Sequence, residues 1–268
     1  MREFLNFDCA GDAIAATLDT GMDAAAAPAG LLIVGGGTEI RSGAHGGMAQ
    51  LAAAVAAAGW PVLRYDRRGV GDSAGADPGF ADSGPDITVA ADTLRARLAP
   101  GARVIGFGLC DGATALALHH HAARVDGLLL ANPWVVEPVG DLPPPAAVRA
   151  HYLARLTDWR FWKRALTGGV DLRKAARGVA SLGAATDDSL PARIAGALLT
   201  GRRPLAILLA KGDATAIAFD DAWGGKSFAA IRDDVEVVRI DSPSHTFAAG
   251  DAAMLAAFVV AGLERFSS

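Results

Sequence analysis

The chain has 268 residues, 51% of them hydrophobic, and a formal net charge of −4. That length suits one large domain with a sizeable core and an inserted subdomain, and argues against two full domains. The charge excludes the basic field that duplex nucleic acid requires, and no run reaches the roughly 18 uninterrupted apolar residues of a membrane span.

The opening MREFLNFDCAGD carries no apolar signal core, and Cys9 and Cys110 are the only cysteines, too few for a disulfide framework or a cysteine metal cluster. A cytoplasmic protein is expected, with no cofactor motif and no metal site; the sequence leaves the oligomeric state open. Glu3 to Phe7 and Ala13 to Leu18 read as two strands joined by a turn at Cys9 to Asp12, an antiparallel hairpin. Leu31 to Val34 is a short apolar strand running into Gly35-Gly36-Gly37-Thr38. A helix from Met48 to Ala58 and a buried strand from Val62 to Asp66 follow.

The alternation continues with helix Asp86 to Leu98, strand Arg103 to Phe107, helix Ala113 to Ala123 and strand Gly127 to Ala131. After a break, strands Leu205 to Ala210 and Val235 to Ile240 precede a last helix, Ala252 to Arg265. Fully apolar strands alternating with helices signal a parallel sheet covered on both faces. The fold class is therefore α/β, a doubly wound and mostly parallel eight-stranded sheet. Between Pro133 and Arg203 the rhythm stops, and 146–156, 158–166 and 172–182 show helical periodicity. The predicted division is a core at 1–133, a helical cap insertion at 134–202 and the rest of the core at 203–268.

Gly108-Leu109-Cys110-Asp111-Gly112 lies where a strand should turn sharply into a helix. Such a turn lifts a nucleophile off the sheet, the flanking glycines avoid clashes, and the helix N-terminus favours a thiolate and a developing oxyanion. The alternative is a buried, inert cysteine in a tight turn. Among the six histidines, only His245 follows the last strand, the place for a base. His119, His120 and His121 read as a solvated helix end. Asp213, in the loop after the penultimate strand, is the expected orienting acid, with Asp220 and Asp221 as fallbacks otherwise read as solvated loop charges. The order Cys110, Asp213, His245 is nucleophile, acid, base. Backbone amides of Asp111 and of Thr38 or Gly37 are the expected oxyanion hole, whereas phosphate cradling lacks the required motif spacing.

Asp66-Arg-Arg-Gly-Val-Gly-Asp-Ser73, Gly108-Leu-Cys-Asp-Gly112, Asn132-Pro-Trp134, Tyr152-Leu-Ala-Arg155 and Phe161-Trp-Lys163 carry a resemblance. Over nearly its whole length the chain resembles the α/β-hydrolase superfamily, and in these segments it looks like the exosortase A system-associated hydrolases, type 1. Those are bacterial proteins linked to exosortase and exopolysaccharide loci. The resemblance supports Cys110 as nucleophile, Asp213 as acid and His245 as base. Two departures stand out: Gly212 directly precedes Asp213, and Glu39 stands where glutamine is expected. Dienelactone hydrolases, which also use cysteine on this fold, hold a glutamate near it. Glu39 is accordingly either such a carboxylate or a solvated loop charge.

The insertion supplies Trp134, Tyr152, Arg155 and Arg160 as candidate substrate contacts, aromatics for an apolar wall and cations for an anionic portion of the substrate. Two readings remain. One is cleavage or transfer of an acyl group from an ester, thioester or lactone, a small-molecule acyl substrate; the other is a non-catalytic binding or scaffolding component of the exopolysaccharide machinery.

Overall fold

The turn at Ala10 and Gly11 folds β1 (Arg2–Cys9) onto β2 (Asp12–Asp19) in the predicted antiparallel hairpin. The structure, a computed structural model, describes residues 1–21, 24–136 and 188–267. Beyond the hairpin come β3 (Ala29–Val34), β4 (Val62–Tyr65), β5 (Arg103–Leu109), β6 (Gly127–Ala131), β7 (Leu205–Ala210) and β8 (Glu236–Ile240). They form one eight-stranded sheet in the order β1-β2-β4-β3-β5-β6-β7-β8. β2 is antiparallel to β1 and β4, and β3 to β8 pair in parallel.

The inner strands β3, β5, β6 and β7 are apolar at nearly every position because both faces are covered, whereas the edge strands β1 and β8 are partly exposed, and period-two alternation assigns each residue a side. Leu31, Ile33, Ile105, Phe107 and Leu129 pack with α1 (Gly47–Ala57) and α6 (Ala252–Phe266), through Leu51, Val55, Val259 and Leu263. Leu32, Val34, Val104, Leu128 and Leu130 face the other layer. That layer comprises α2 (Gly84–Arg95), α3 (Asp111–His119), α4 (Leu190–Thr200) and α5 (Ala214–Gly224). Each such fully buried Leu, Ile or Val contributes about 1.5–3 kcal/mol relative to exposure.

Two of these helices are additions to the predicted set. α4 starts at Ser189, whose side chain caps the Ala192 amide at 3.4 Å, and buries Leu190, Ile194, Ala195 and Leu198. α5 starts at Asp213 and buries Phe219 and Trp223 against Phe228. The helices expected at 146–156, 158–166 and 172–182 lie outside the described residues.

The chain passes from β3 to β4 on one side and then to β5 on the other, so β3 and β5 are neighbours with Val34 opposite Gly108. Loops leaving their carboxyl ends therefore diverge, opening a crevice where α/β sheets bind ligands. The glycine-rich loop after β3 and the cysteine turn after β5 flank that point.

Candidate active site

Cys110 joins β5 to α3 with φ 58° and ψ −126°, a backbone state that a residue bearing a β-carbon rarely adopts. Such strain costs on the order of 1–3 kcal/mol and persists only where the surroundings hold it. They do so here. The Cys110 amide donates to the Ala131 carbonyl at 3.0 Å, and its own carbonyl accepts from Ala113 and Trp134, each at 3.1 Å. Glycine is a steric requirement on either side: a β-carbon at Gly108 would lie 2.6 Å from Ala113 backbone atoms, and one at Gly112 would lie 2.5 Å from the Val34 oxygen. Cys110 itself is buried.

His245 lies in the loop between β8 and α6. Its Nδ1 is 3.0 Å from Asp213 Oδ1, and its ring also hydrogen-bonds the Cys110 sulfur. Burial disfavours the charged imidazole, but the hydrogen bonds and charges of Asp213 and Cys110 outweigh it and push the group up to about 10. Asp213 is buried, and its second carboxylate oxygen accepts the Ala216 amide at 3.0 Å as the N-cap of α5. One oxygen anchors the helix and the other faces the imidazole, so the carboxylate is doubly oriented. With Gly212 directly before it, Asp213 is still within reach of His245.

The loop after β3 lies against the start of α3. Asp111 turns its carboxylate onto this loop and accepts the Gly37 amide at 2.6 Å. That donor is occupied, which counts against Gly37 as an oxyanion contact. Among the described residues, the Gly36 and Thr38 amides have no hydrogen-bond partner. Arg67 supports the loop by donating to the Gly37 carbonyl at 2.7 Å while paired with Asp77.

Residues 29–196 match the model of a hydrolase family described as serine aminopeptidase, S33. The chain belongs to this α/β-hydrolase family. Within it, this hydrolase carries a cysteine at the turn rather than the serine of the family's description. No curated protein sequence matches it significantly. Solved structures share its fold. An esterase from Pyrococcus furiosus superposes with a TM-score of 0.69 at 14% identity, covering 100% of this chain and 94% of that one. A Xanthomonas campestris α/β serine hydrolase without lid gives 0.60 at 16% identity, covering 99% and 94%. The thioesterase domain of the curacin biosynthetic pathway gives 0.60 at 13%, covering 97% and 98%.

Other candidate residues of the hydrolase lie elsewhere or make different contacts. Glu39 Oε2 accepts the Ala44 amide of its own loop at 3.4 Å and lines a small cavity with Tyr65, Arg67 and Ser83; among the described residues it makes no hydrogen bond to Cys110. Trp134 adjoins the cysteine turn, its carbonyl accepting from Thr114 Oγ1 at 2.5 Å. Tyr152, Arg155 and Arg160 lie outside the described residues. Asp220 and Asp221 sit on α5 rather than in a loop, and Asp220 pairs with Arg239 at 2.6 Å.

The reading of the histidine tract as a solvated helix end needs correcting. Only His121 is exposed; His119 Nε2 meets the Ala81 carbonyl at 2.9 Å, and fully buried His120 meets the Ala117 and Gly201 carbonyls, each at 2.9 Å. Imidazoles satisfy carbonyls where α3 packs on its neighbours, which local sequence does not reveal. Sequence reasoning also passed over Asn132, fully buried beside His245. Its signal was present in Asn132-Pro-Trp134, but as a resemblance rather than a mechanism.

Proposed function

We propose that this hydrolase cleaves acyl esters, thioesters or lactones with Cys110 as nucleophile, His245 as proton carrier and Asp213 as its orienter. The observation carrying this reading is the imidazole of His245, held between carboxylate and thiol and pushed up to about 10. In the reacting state the nucleophile is the thiolate of Cys110, opposite the protonated imidazole. The thiolate adds to the substrate carbonyl, forming a C–S bond and an oxyanion. The first amide of α3, at Asp111, and an amide of the β3 loop, Gly36 or Thr38, receive that oxyanion. As the tetrahedral species collapses, His245 gives its proton to the departing alcohol or thiol and the acyl group stays on sulfur. His245, now neutral, takes a proton from water, which attacks the acyl-enzyme; expulsion of the thiolate releases the acid. An acceptor other than water would make the same site an acyltransferase.

Esterase and thioesterase folds among the structural neighbours agree with this substrate class. The quoted segments support an acyl substrate within the exosortase and exopolysaccharide system, and the two cysteines, both free thiols, suit the cytoplasm. Among the described residues, no helix is long and apolar enough to cross a membrane. We further assign the part of 134–202 that precedes α4 to a cap, α4 itself packing on the sheet, with Trp134, Tyr152, Arg155 and Arg160 as the cap's substrate contacts. The test is a screen of acyl p-nitrophenyl esters and acyl thioesters with the native protein, Cys110→Ala and His245→Ala. Turnover lost in both variants supports the mechanism; native turnover that survives in both overturns it, and no turnover on any substrate favours a scaffolding role.

A further inference from the structure

Residues 131–134 touch every part of the proposed site. Ala131 accepts the Cys110 amide, and the Trp134 amide donates back to the Cys110 carbonyl. Between them, Asn132 is fully buried with φ 41°, a left-handed state that asparagine tolerates better than most residues. Its side chain spans two other elements. Nδ2 donates to the His245 carbonyl at 2.9 Å, and Oδ1 accepts the Ala210 amide at 2.9 Å, three residues before Asp213. Its own amide donates to Leu208 in β7 at 3.0 Å. The orientation of the side-chain amide is forced, because a carbonyl needs a donor and an amide N–H needs an acceptor.

We propose that Asn132 is a positioning residue that fixes the His245 loop relative to the end of β7, and so fixes His245 relative to both Asp213 and Cys110. The inference rests on the triad reading above for its catalytic meaning. The anchored His245 carbonyl is bonded directly to the Cα that carries the imidazole, so the tether acts at the base of that side chain. Among the described residues the loop is also held by Gly212 donating to the Ser242 carbonyl at 2.9 Å, by the Ser242 hydroxyl on Asp251, by the Ser244 and Ala248 amides donating to the Ser242 and Ser244 hydroxyls, each at 2.9 Å, and by buried Phe247. None of these contacts has His245 as a partner. Serving both partners takes a donor and an acceptor on one side chain, which leucine lacks altogether and an ionised aspartate lacks as donor.

Asn132→Gly removes both side-chain bonds while keeping a residue that accepts the positive φ. Two readouts separate positioning from bulk stability: the His245 titration midpoint by NMR, and kcat against KM on p-nitrophenyl acetate. If Asn132 positions the base, the midpoint falls by about one pH unit or more toward the ordinary histidine value. kcat then falls roughly tenfold or more, with KM held within about threefold, because misplacement of a catalytic group weakens chemistry more than binding. A folded variant with native midpoint and native kcat overturns the proposal. Should the variant not fold, hydrogen exchange on the native protein decides: slow exchange of the Asn132 Nδ2 protons supports the tether, and exchange at the rate of a surface amide overturns it. If native protein shows no turnover, the triad reading fails, whereas the His245 midpoint still reports on Asn132.

Discussion

An imidazole flanked by a carboxylate and a thiol retains its proton well past neutrality, so His245 should titrate near 10 in the native protein. Asp213→Asn and Cys110→Ser each remove one of the charges that outweigh burial, and each should lower the midpoint toward about 6.5. NMR of ring-labelled histidine measures this, and a midpoint unmoved in both variants would refute the charge assignment. The two thiols should also differ. Burial and the neighbouring Asp86 push Cys9 up, disfavouring its thiolate, whereas Cys110 faces His245. Limited iodoacetamide should therefore label Cys110 first by mass spectrometry; preferential labelling of Cys9 in folded protein would contradict the proposed nucleophile.

At the scale of elements, the turn from β5 to α3 is held by close approach. A methyl group at Gly112 meets the Val34 carbonyl oxygen, a backbone atom with no side-chain freedom to yield. Gly112→Ala should cost about 1–3 kcal/mol in urea unfolding and displace the loop after β3 along with it. A cost near zero would mean that the turn relaxes freely. Asp213 works in two elements at once, and its variants separate the roles. Asparagine also caps helices, so Asp213→Asn should leave α5 nearly as stable, while Asp213→Ala should lose about 0.5–2 kcal/mol more. Both should be impaired in turnover. If alanine and asparagine cost the same in stability, the cap contributes nothing.

For the whole molecule, partly buried His245 and fully buried His120 make stability depend on pH with opposite signs. His245 is raised in the folded state, so its contribution is complete below about 6.5 and is lost as pH rises through about 10. His120 is lowered, chiefly by burial and despite hydrogen bonds to Gly201 and Ala117, so its contribution is present above about 6.5 and is lost on acidification. Chemical denaturation across pH should show His245→Ala flattening the alkaline limb and His120→Phe flattening the acid limb; exchanged effects would reverse the assignment. The substrate range follows from the nucleophile. A thiolate attacks readily but is also readily expelled, so thioesters and aryl esters should turn over and simple amides should not. Efficient amide cleavage would be incompatible with this site.

Much of this was written locally. The apolar strands, the hairpin and the glycines at 108 and 112 are consequences of side-chain period and of sterics within a few residues, so the α/β sheet and the strained cysteine turn were legible before any fold was known. The chain order of Cys110, Asp213 and His245 was legible too. Their meeting was not, because residues separated by 103 and 32 positions come together only when β5, β7 and β8 end on one side of a single sheet. The same holds for Asn132, Asp111 and His120, whose partners lie in other elements. A buried polar side chain takes its role from the donor or acceptor that packing brings to it, and packing is a property of the assembled sheet and helices rather than of neighbours along the chain.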